Sequence, residues 1–417
     1  GPSGAGASAG PPTVNSARTE HVGSLQLPPA ATSRPQSEAA AAPAKAMAPR
    51  PKGVMPALNL AALSAPRQPG FSRPDAPAML NLDEINMSEE ELVNSYDPTS
   101  EENNYHLPHH LYKQLQLKHY RQVCSEVVPG AIFISSFQVA GELESLRKHG
   151  ITHIVNTAAD VCESSFPEHF SYLTYYLKDT NNEDISLLFY RTLEWMHSAV
   201  TNGGRVLVHC REGVSRSATM VIAYLMWRYS LSFEAAHERI RKVRPICNPN
   251  TGFTFQLLLL GKKLGVAGAG GPPSSPPRPQ LFRVAPHDPR EPFLLLVPVE
   301  WAPSSLPPLD PRFAWVLQRG AQLCLWLGSQ VPDPAAAQSA VSQHMQRLEA
   351  FERCRCSLAA ASEGEEPPQL WQALGLPGPP ADRSSLAVPR PAYDADFEVL
   401  RASAEASGQR TGGAAAP

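Results

Sequence analysis

The amino-acid sequence predicts an α/β domain with a central sheet flanked by helices, followed by a smaller α+β domain and preceded by a disordered region. Three observations lead to this prediction. Strand-like and helical patterns alternate over residues 121–265, further strand-like segments span residues 281–402, and residues 1–80 are rich in Ala and Pro with no apolar period. Proline accounts for 43 of the 417 residues, about twice its usual share, so the folded part should be shorter than the chain.

The other segments are predicted to connect or flank these domains. Residues 81–120 form an acidic lead-in, residues 266–280 a Pro/Gly/Ser linker and residues 403–417 a tail. The Ala/Pro-rich start cannot bury enough apolar surface to offset the entropy of ordering, and we expect it to be disordered. A transit peptide is the alternative for this start, although its acidic residues disfavour that interpretation.

Charge and cysteine content exclude several functional classes. The chain has 36 Lys and Arg against 39 Asp and Glu, a formal net charge of -3, which argues against a general binder of nucleic acid or of an anionic membrane. No run of about 18 apolar residues is present, so no membrane span is predicted. Seven thinly spread cysteines do not suggest a disulfide framework, and we expect a reducing compartment, the cytoplasm or the nucleus.

The elements of the first domain follow one another in a regular order. Apolar strands and amphipathic helices alternate, as in α/β domains, and Gly150 separates a helix from the strand after it. The predicted strands are Ala131–Ile134, Ile151–Asn156, Tyr172–Leu177 and Arg205–Val208. The predicted helices are Glu142–His149, Ile185–Val200 and a third that ends at Tyr229.

The chemistry is predicted to lie in the loop between the last strand and the last helix. Five residues separate Cys210 from Arg216, a spacing that lets backbone N–H groups point inward beside the positive end of the helix and cradle a phosphate. The same field favours the nucleophilic thiolate of Cys210, and the fork of Arg216 can hold two phosphoryl oxygens. The residues expected around the phosphate are Arg211, Glu212, Gly213, Val214, Ser215 and Arg216.

Neighbouring side chains are expected to assist this loop. Ser217 is placed to donate a hydrogen bond to the sulfur when the sulfur leaves, and His209 should stay buried and orient the loop. Asp179, on a polar loop after a strand, is the expected general acid and then the general base for the attacking water. Asp184 competes for that role, although its position favours capping the helix that begins at Ile185. We expect no metal and no cofactor.

The segment His209–Ser217 resembles the HCxxGxSRS signature of cysteine-dependent dual-specificity protein phosphatases. The similarity covers residues 124–264 and includes Asn156, the loop of Asp179 and the segment Asn248–Phe253. It implies that family's fold, a cysteinyl-phosphate intermediate, and protein substrates phosphorylated on tyrosine and on threonine or serine. By the same resemblance, Asn156 should support the catalytic loop.

Glu212 bears on the substrate class. Phosphatases of this superfamily that act on lipids or other polyanions tend to carry Lys in the loop, whereas an acidic residue at the rim disfavours phosphoinositides. A phosphoprotein is therefore the favoured substrate, and a non-protein phosphate ester is the alternative. Glu212 could also be a solvated rim residue with no influence on selectivity.

The second domain shows a different pattern. Its predicted elements are the strands Leu281–Val284, Phe293–Val297, Phe313–Leu317 and Gln322–Leu327, the helix Ala335–Cys354 and a last strand, Tyr393–Leu400. Trp326–Gly328 and Glu366–Gly375 resemble the two motifs of gelsolin-like domains. Ser329 stands where that family usually has Asp, so we expect neither calcium nor actin binding. Cys354 and Cys356, with no second pair of ligands, are a weak sign of a zinc site.

A dual-specificity phosphatase domain followed by a gelsolin-like domain resembles the plant-type MAP kinase phosphatases. This resemblance implies a phosphorylated protein partner, a MAP kinase. A basic pattern followed by Leu-x-Leu in the Ala/Pro-rich start is similar to kinase docking peptides, although chance alone can produce it. Its residues are Arg50, Lys52, Leu58 and Leu60. An actin-linked interaction protein that carries the phosphatase as a passenger is a further alternative.

The expected thiolate also predicts reversible oxidation, since accessible thiolates oxidise first. Cys124 or Cys162 could then be the resolving partner of Cys210. The alternative is that each is an ordinary buried cysteine.

Overall fold

The structure is a computed structural model. It describes residues 88–98, 100, 102–266, 279–301, 307–374, 378 and 389–412. The predicted disordered region and most of the predicted linker lie outside these ranges. Within them, no helix is both long enough and apolar enough to cross a membrane.

Five short strands form the first sheet. They are β1 Ser125–Val128, β2 Ile132–Ser135, β3 His153–Asn156, β4 Ser171–Thr174 and β5 Val206–His209. Their spatial order is β1-β2-β5-β3-β4, with β1 antiparallel to β2 and the other pairs parallel. His209 pairs with Ser135 on one side and with Asn156 on the other. Because these parallel strands end at the same edge, the loops that follow them are neighbours.

Helices cover both faces of this sheet. They are α3 Phe137–Ala140, α4 Leu143–Lys148, α5 Phe189–Thr201, α6 Arg216–Tyr229, α7 Phe233–Val243 and α8 Thr251–Lys263. Alternate residues of a strand point to opposite faces of the sheet. Phe133 and Leu207 share an apolar cluster with α3 and α4 on one face. Ile134 and Val208 share a second cluster with α5 to α8 on the other face. The predicted central sheet with flanking helices is confirmed. One turn of 3-10 helix, Ile185–Leu188, precedes α5 where a continuous helix was predicted.

Two further helices lie in the predicted acidic lead-in. They are α1 Glu89–Asn94 and α2 His109–Arg121. Ser88 begins α1 as a capping box, since its hydroxyl accepts from the N–H of Glu91 and its own N–H donates to the Glu91 carboxylate. Leu111 and Leu115 bury one face of α2. This helix ends at Arg121, whose side chain reaches the catalytic loop described below.

A second sheet of five strands follows. They are β6 Gln280–Asp288, β7 Glu291–Val299, β8 Ala314–Arg319, β9 Gln322–Leu327 and β10 Ser357–Ser362. Their order is β10-β9-β8-β6-β7, with only β10 parallel to its neighbour. The helix α9, Pro334–Glu352, shares a cluster with Val316 and Leu325 on one face, and Trp315 and Trp326 face the opposite cluster.

The end of the chain differs from the prediction. The segment predicted as a last strand, Tyr393–Leu400, is instead a single 3-10 turn followed by the helix α11, Asp394–Gly412. The prediction was wrong because Tyr393, Phe397 and Leu400 recur at spacings of four and three, a helical period, and all three pack against the cluster of Trp315. The same helix continues through residues 403–412, which were predicted to belong to a tail.

In the second domain, two shorter elements were not predicted. The strand β10 has small side chains, five of its six residues are exposed, and it therefore lacks the alternation that marks a half-buried strand. The helix α10, Pro368–Ala373, lies within the second gelsolin-like motif and carries the buried Trp371. It closes the same face of the second sheet as α11.

An aromatic contact joins the two sheets. Phe351 on α9 stacks on Tyr190 of α5, with ring centroids 4.9 Å apart, and its ring centroid lies 5.1 Å from that of Trp227 on α6. Arg347 pairs with Glu194 at 3.1 Å beside this stack. Phe351 belongs to the same buried cluster as the core of the first sheet, so the two sheets share apolar surface.

Candidate active site

The predicted catalytic loop runs from the end of β5 to the start of α6, at the carboxyl edge of the first sheet. Gly213 lies in this loop with φ of +70°, and a Cβ atom there would be 2.5 Å from the carbonyl oxygen of Ser135. Both the backbone conformation and the close approach therefore require glycine. Ser215 precedes α6, whose first residue is Arg216, so the helix opens directly at the loop.

Cys210 lies at the centre of this loop and is only 2% exposed. Its Sγ accepts hydrogen bonds from the backbone N–H of Gly213 and from the hydroxyl of Ser217, both at 3.2 Å. Two donors that converge on one sulfur stabilise negative charge on it. The structure thus brings together Cys210, the predicted nucleophile, and Ser217, the residue predicted to donate a hydrogen bond to its sulfur.

Arg216 is buried but loosely bound. Its Nη1 donates to the carbonyl oxygen of Leu177 at 2.8 Å, and its distances to the carboxylates of Asp160 and Asp179 are longer, 3.4 and 3.6 Å. Within the residues that the structure describes, its buried Nε has no hydrogen-bond partner. Such a donor is rare in protein interiors, and here it lies beside the nucleophile's loop.

Asp179 reaches the loop, but it is hydrogen-bonded there. Its Oδ1 accepts from the hydroxyl of Ser215 at 2.7 Å and from Nδ2 of Asn250 at 3.0 Å. Its side chain is 35% exposed, so solvent reaches it as well. Asp184 lies at the start of the 3-10 turn, where it accepts from the N–H of Ser186, which is the capping position expected for it. Of the two competing carboxylates, the structure places Asp179 at the loop.

His209 and Asn156 lie below the loop at the ends of neighbouring strands. His209 is buried, and burial lowers its pKa to about 4, so the imidazole is neutral at neutral pH. Its backbone oxygen accepts from the N–H and the hydroxyl of Thr157. Asn156 donates to the carbonyl oxygen of Cys162 at 2.7 Å and accepts from the N–H of Ala158. It therefore shapes the loop that carries Asp160.

Glu212 is not the free acid that the sequence suggested. Both of its carboxylate oxygens accept from the guanidinium of Arg121, at 2.6 and 2.9 Å, and its side chain is 25% exposed. Its charge is paired by a residue 91 positions away, so Glu212 does not stand at the rim as an unpaired acid, and its influence on the substrate class stays a prediction. The side chain of Arg211 is 65% exposed. The carbonyl oxygen of Val214 accepts a hydrogen bond from the N–H of Asn248.

Arg244 was missed by the sequence analysis. It is fully buried, and its Nε donates to the carbonyl oxygen of Gly213 at 2.8 Å while its Nη2 donates to those of Glu212 and Tyr120. Its Nη1 donates to the carbonyl oxygen of Val123. A buried guanidinium with this many acceptors fixes the outer wall of the loop. In the sequence it looks like one more basic residue at the end of a helix, and no local signal distinguishes it.

The other cysteines lie at several depths around this site. Burial raises the pKa of Cys124 to about 12 and also raises that of Cys162. Their predicted role as resolving partners stays a prediction. Cys354 and Cys356 bring their sulfurs to 3.7 Å from each other, and no group of three or more potential metal ligands lies in the described part of the chain.

Residues 132–263 match the family "Dual specificity phosphatase, catalytic domain". The chain is also similar to "Protein-tyrosine-phosphatase MKP1" of Arabidopsis thaliana, with 31% identity over 303 residues, and to human "Dual specificity protein phosphatase 4", with 34% identity over 187 residues. A third similar protein is "MAP kinase phosphatase with leucine-rich repeats protein 3" of Dictyostelium discoideum, with 39% identity over 156 residues. The similarity to dual-specificity phosphatases that the sequence suggested is confirmed for this region.

These similarities cover unequal shares of the proteins. The three alignments include 71%, 44% and 37% of this chain, but 37%, 47% and 18% of the Arabidopsis, human and Dictyostelium proteins. The chain thus spans less than half the length of each of these relatives. The Arabidopsis alignment is longer than the family match, so that similarity continues outside the catalytic domain.

Proposed function

We propose that this chain is a protein phosphatase that hydrolyses phosphotyrosine and phosphothreonine or phosphoserine through a cysteinyl-phosphate intermediate, with a MAP kinase as substrate. One observation carries the proposal: two donors converge on Sγ of Cys210 while the buried Nε of Arg216 has no hydrogen-bond partner among the described residues. A purely structural loop would use its buried donors internally. A phosphoryl group bound above the sulfur would accept from Arg216 and from the loop N–H groups.

The first chemical step transfers the phosphoryl group to the enzyme. Sγ of Cys210 attacks phosphorus, an S–P bond forms, and the P–O bond to the tyrosine, threonine or serine oxygen breaks. Asp179, in its protonated form, gives its proton to the departing oxygen. Because its Oδ1 is bonded to Ser215 and Asn250, the carboxyl group is held at the loop, and Oδ2, which has no hydrogen bond within the described residues, lies 3.6 Å from Nε of Arg216.

The second step releases phosphate. Water attacks phosphorus, the carboxylate of Asp179 accepts its proton, and the S–P bond breaks. Ser217 already donates to Sγ of Cys210, so the departing thiolate meets a hydrogen bond that needs no rearrangement.

The substrate assignment is supported by the names of similar proteins. One is named a dual specificity protein phosphatase and another a MAP kinase phosphatase. A non-protein phosphate ester is the competing substrate, and with Glu212 paired to Arg121 the loop itself gives no electrostatic reason to exclude it.

The test compares two substrates with one protein. Phosphate release should be faster from a doubly phosphorylated activation-loop peptide of a MAP kinase than from an inositol phosphate. Cys210→Ser should abolish release from both while still binding the phosphopeptide, because the loop and Arg216 remain. Cys324→Ser, a half-buried cysteine of the second sheet, is the matched control and should retain full activity. Release by Cys210→Ser near the rate of the unaltered protein would refute the mechanism.

Recruitment of the kinase is a separate proposal. Arg50, Lys52, Leu58 and Leu60 lie outside the described residues, and their pattern alone supports a docking role. Replacing all four by alanine should raise KM for an intact phosphorylated kinase and leave hydrolysis of a small aryl phosphate unchanged. Equal KM values would leave this segment without a recruiting role.

We also propose that the second sheet domain is gelsolin-like. Two contacts support this. Nε1 of Trp326 donates to Oε1 of Glu366 at 3.0 Å, so the two motifs meet, and a Cβ atom at Gly328 would lie 2.1 Å from the carbonyl oxygen of Pro311. Where the family usually has Asp, the N–H of Ser329 donates to Glu363. Sedimentation with actin filaments, with and without calcium, should leave the protein in the supernatant; co-sedimentation would favour the actin-linked alternative.

A further inference from the structure

The hairpin between β6 and β7 of the second sheet lies against the segment that carries the catalytic acid. That segment leaves β4, the edge strand of the first sheet, and runs from Tyr175 to Asp179. An edge strand leaves backbone donors unpaired unless another element covers them. Here the covering element belongs to the other sheet, because the backbone N–H of Tyr176 donates to Nε2 of His287 at 3.3 Å.

His287 is itself held in place by aromatic neighbours. Its ring stacks on Phe293 at 4.8 Å and meets Tyr175 edge-on at 5.5 Å. The guanidinium of Arg191 lies 4.0 Å from the ring centroid of Phe293. Burial lowers the pKa of His287 to about 4, so the imidazole is neutral and Nε2 can accept from Tyr176. The acceptor is therefore fixed in position and in protonation state.

Arg290, in the turn of the same hairpin, holds the side chain of Tyr176. The guanidinium carbon lies 3.6 Å from the ring centroid, close enough for a cation-π contact. Two hydrogen bonds to the carboxylate of Asp288, at 2.8 and 3.0 Å, fix the guanidinium over the ring. Tyr176 is thus fixed through its backbone by His287 and through its ring by Arg290.

The residue after Tyr176 leads directly to the catalytic loop. The carbonyl oxygen of Leu177 accepts from Nη1 of Arg216 at 2.8 Å, and Asp179 follows two residues later. A shift of Tyr176 would therefore displace the carboxyl group that reaches Ser215, whereas Arg216 remains held by its place in α6 and its contact with Asp160. Small displacements of this kind are costly, since proton transfer needs hydrogen-bond distances.

We propose that the β6–β7 hairpin is a positioning element for the catalytic acid, with His287 and Arg290 as its positioning residues, so that full activity of the first domain requires the second. This inference rests on the proposed function, in which Asp179 protonates the leaving oxygen. It assigns to the second sheet domain a role inside the catalytic cycle that needs no binding partner.

The test uses the full chain and two aryl phosphates. Phenyl phosphate needs its leaving oxygen protonated, whereas 4-nitrophenyl phosphate needs this much less. His287→Phe keeps the aromatic ring and removes the acceptor, and Arg290→Ala removes the cation. The variant with both changes should lose about 10-fold in kcat/KM on phenyl phosphate and less than about 2-fold on 4-nitrophenyl phosphate, because only the acid is displaced.

Three controls make the result decisive. Arg319→Ala, at the other hairpin of the same sheet, should change neither rate. Arg290→Lys keeps a cation near the Tyr176 ring and should recover part of the loss. In an Asp179→Asn background the hairpin changes should have no further effect, since no acid remains to be positioned.

The outcomes separate this inference from the proposed function. Equal losses on both esters, or a full further loss in the Asp179→Asn background, would overturn the positioning role. Unchanged rates in the hairpin variants would overturn it too, while leaving the phosphatase assignment intact. Failure of the unaltered protein to hydrolyse either ester would instead overturn the proposed function. Thermal unfolding of every variant shows which of them are folded at the assay temperature, and a loss of activity counts only for those.

Discussion

Each sheet of this protein buries an arginine next to carboxylates, and the two arginines differ in how completely they are bonded. Arg312, beside the second sheet, makes two hydrogen bonds to Asp310 at 2.9 and 3.1 Å and one to Asp394 at 2.7 Å, and it also donates to the carbonyl oxygen of Arg390. Arg216, which follows the last strand of the first sheet, makes one short hydrogen bond to a carbonyl oxygen and two long contacts to carboxylates.

The difference shows which arginine is available for a ligand. A guanidinium has five N–H donors, and Arg312 has most of them committed to fixed acceptors. Arg216 is as deeply buried yet keeps a donor that no described residue accepts. Burial of an arginine is thus not by itself a functional signal, and neither is an unused donor, since the buried Arg283 of β6 also has N–H donors that no described residue accepts. Arg216 is distinguished because its unused donor lies at the loop that holds Cys210.

The largest effect is expected at Arg216. Arg216→Lys should lower kcat/KM by about 10³-fold, because a point charge cannot make the two parallel bonds that a phosphoryl group needs. Its midpoint of thermal unfolding should change little, since the present contacts are loose. Steady-state kinetics and calorimetry measure the two quantities. A kcat/KM within a few-fold of the unaltered protein would mean that Arg216 does not touch phosphate.

The opposite result is expected at Arg312. Arg312→Leu should lower the free energy of unfolding by about 3 kcal/mol, because it leaves the buried carboxylate of Asp310 without its partner. Denaturant unfolding measures this change. The double variant Asp310→Asn/Arg312→Leu should recover part of the loss, since no buried charge remains. If Arg312→Leu lost activity in the folded state, the contrast between the two arginines would fail.

A smaller effect is expected at the acid. Asp179→Asn should lower kcat/KM for phenyl phosphate by about 10²-fold, and for 4-nitrophenyl phosphate by much less. Asp184→Asn is the matched control and should leave both rates and the stability nearly unchanged, since Asn caps a helix about as well as Asp. If Asp184→Asn instead showed the larger loss on phenyl phosphate, Asp184 and not Asp179 would be the general acid.

The smallest effect concerns pH. The pKa of His209 is about 4 in the folded protein and about 6.5 in an unfolded chain. Between these values the unfolded state binds more protons, so the free energy of unfolding falls as pH drops from 6.5 to 4. His209→Gln should remove up to about 1.4 kcal/mol per pH unit of this slope. His287 and His344 shift in the same direction, and part of the slope should therefore persist. An unchanged slope would contradict a neutral His209.

The catalytic loop could be read from the sequence because nine consecutive residues, His209 to Ser217, contain it. The residues that contact this loop from distant parts of the chain could not be predicted in this way. Arg121 and Arg244 reach the loop from 91 and 31 residues away, and their side chains resemble ordinary surface arginines until the fold brings them in. Asp179 could be singled out because its loop follows a strand, as expected at the carboxyl edge of a sheet, and the structure places its carboxylate against Ser215.

The second sheet was predicted less completely. Four of its strands have apolar, β-branched or aromatic side chains, which give a clear signal. The Ala-rich β10 gives none, since its pairing to β9 depends on backbone bonds that any sequence can make. The last helix was mistaken for a strand because Tyr393–Leu400 is short and aromatic, although Tyr393, Phe397 and Leu400 recur with a helical period and pack against the cluster of Trp315.

The shared aromatic contact has a consequence for synthesis on the ribosome. Tyr190 and Trp227 are translated well before Phe351, which follows the end of α8 by about 90 residues. At ~5–20 residues per second this interval lasts about 4–18 s. During it the nascent first domain lacks the Phe351 ring that covers Tyr190 and Trp227, and transiently exposed apolar surface of this kind promotes self-association. A chain that stops at residue 266 would keep that surface uncovered for its whole lifetime.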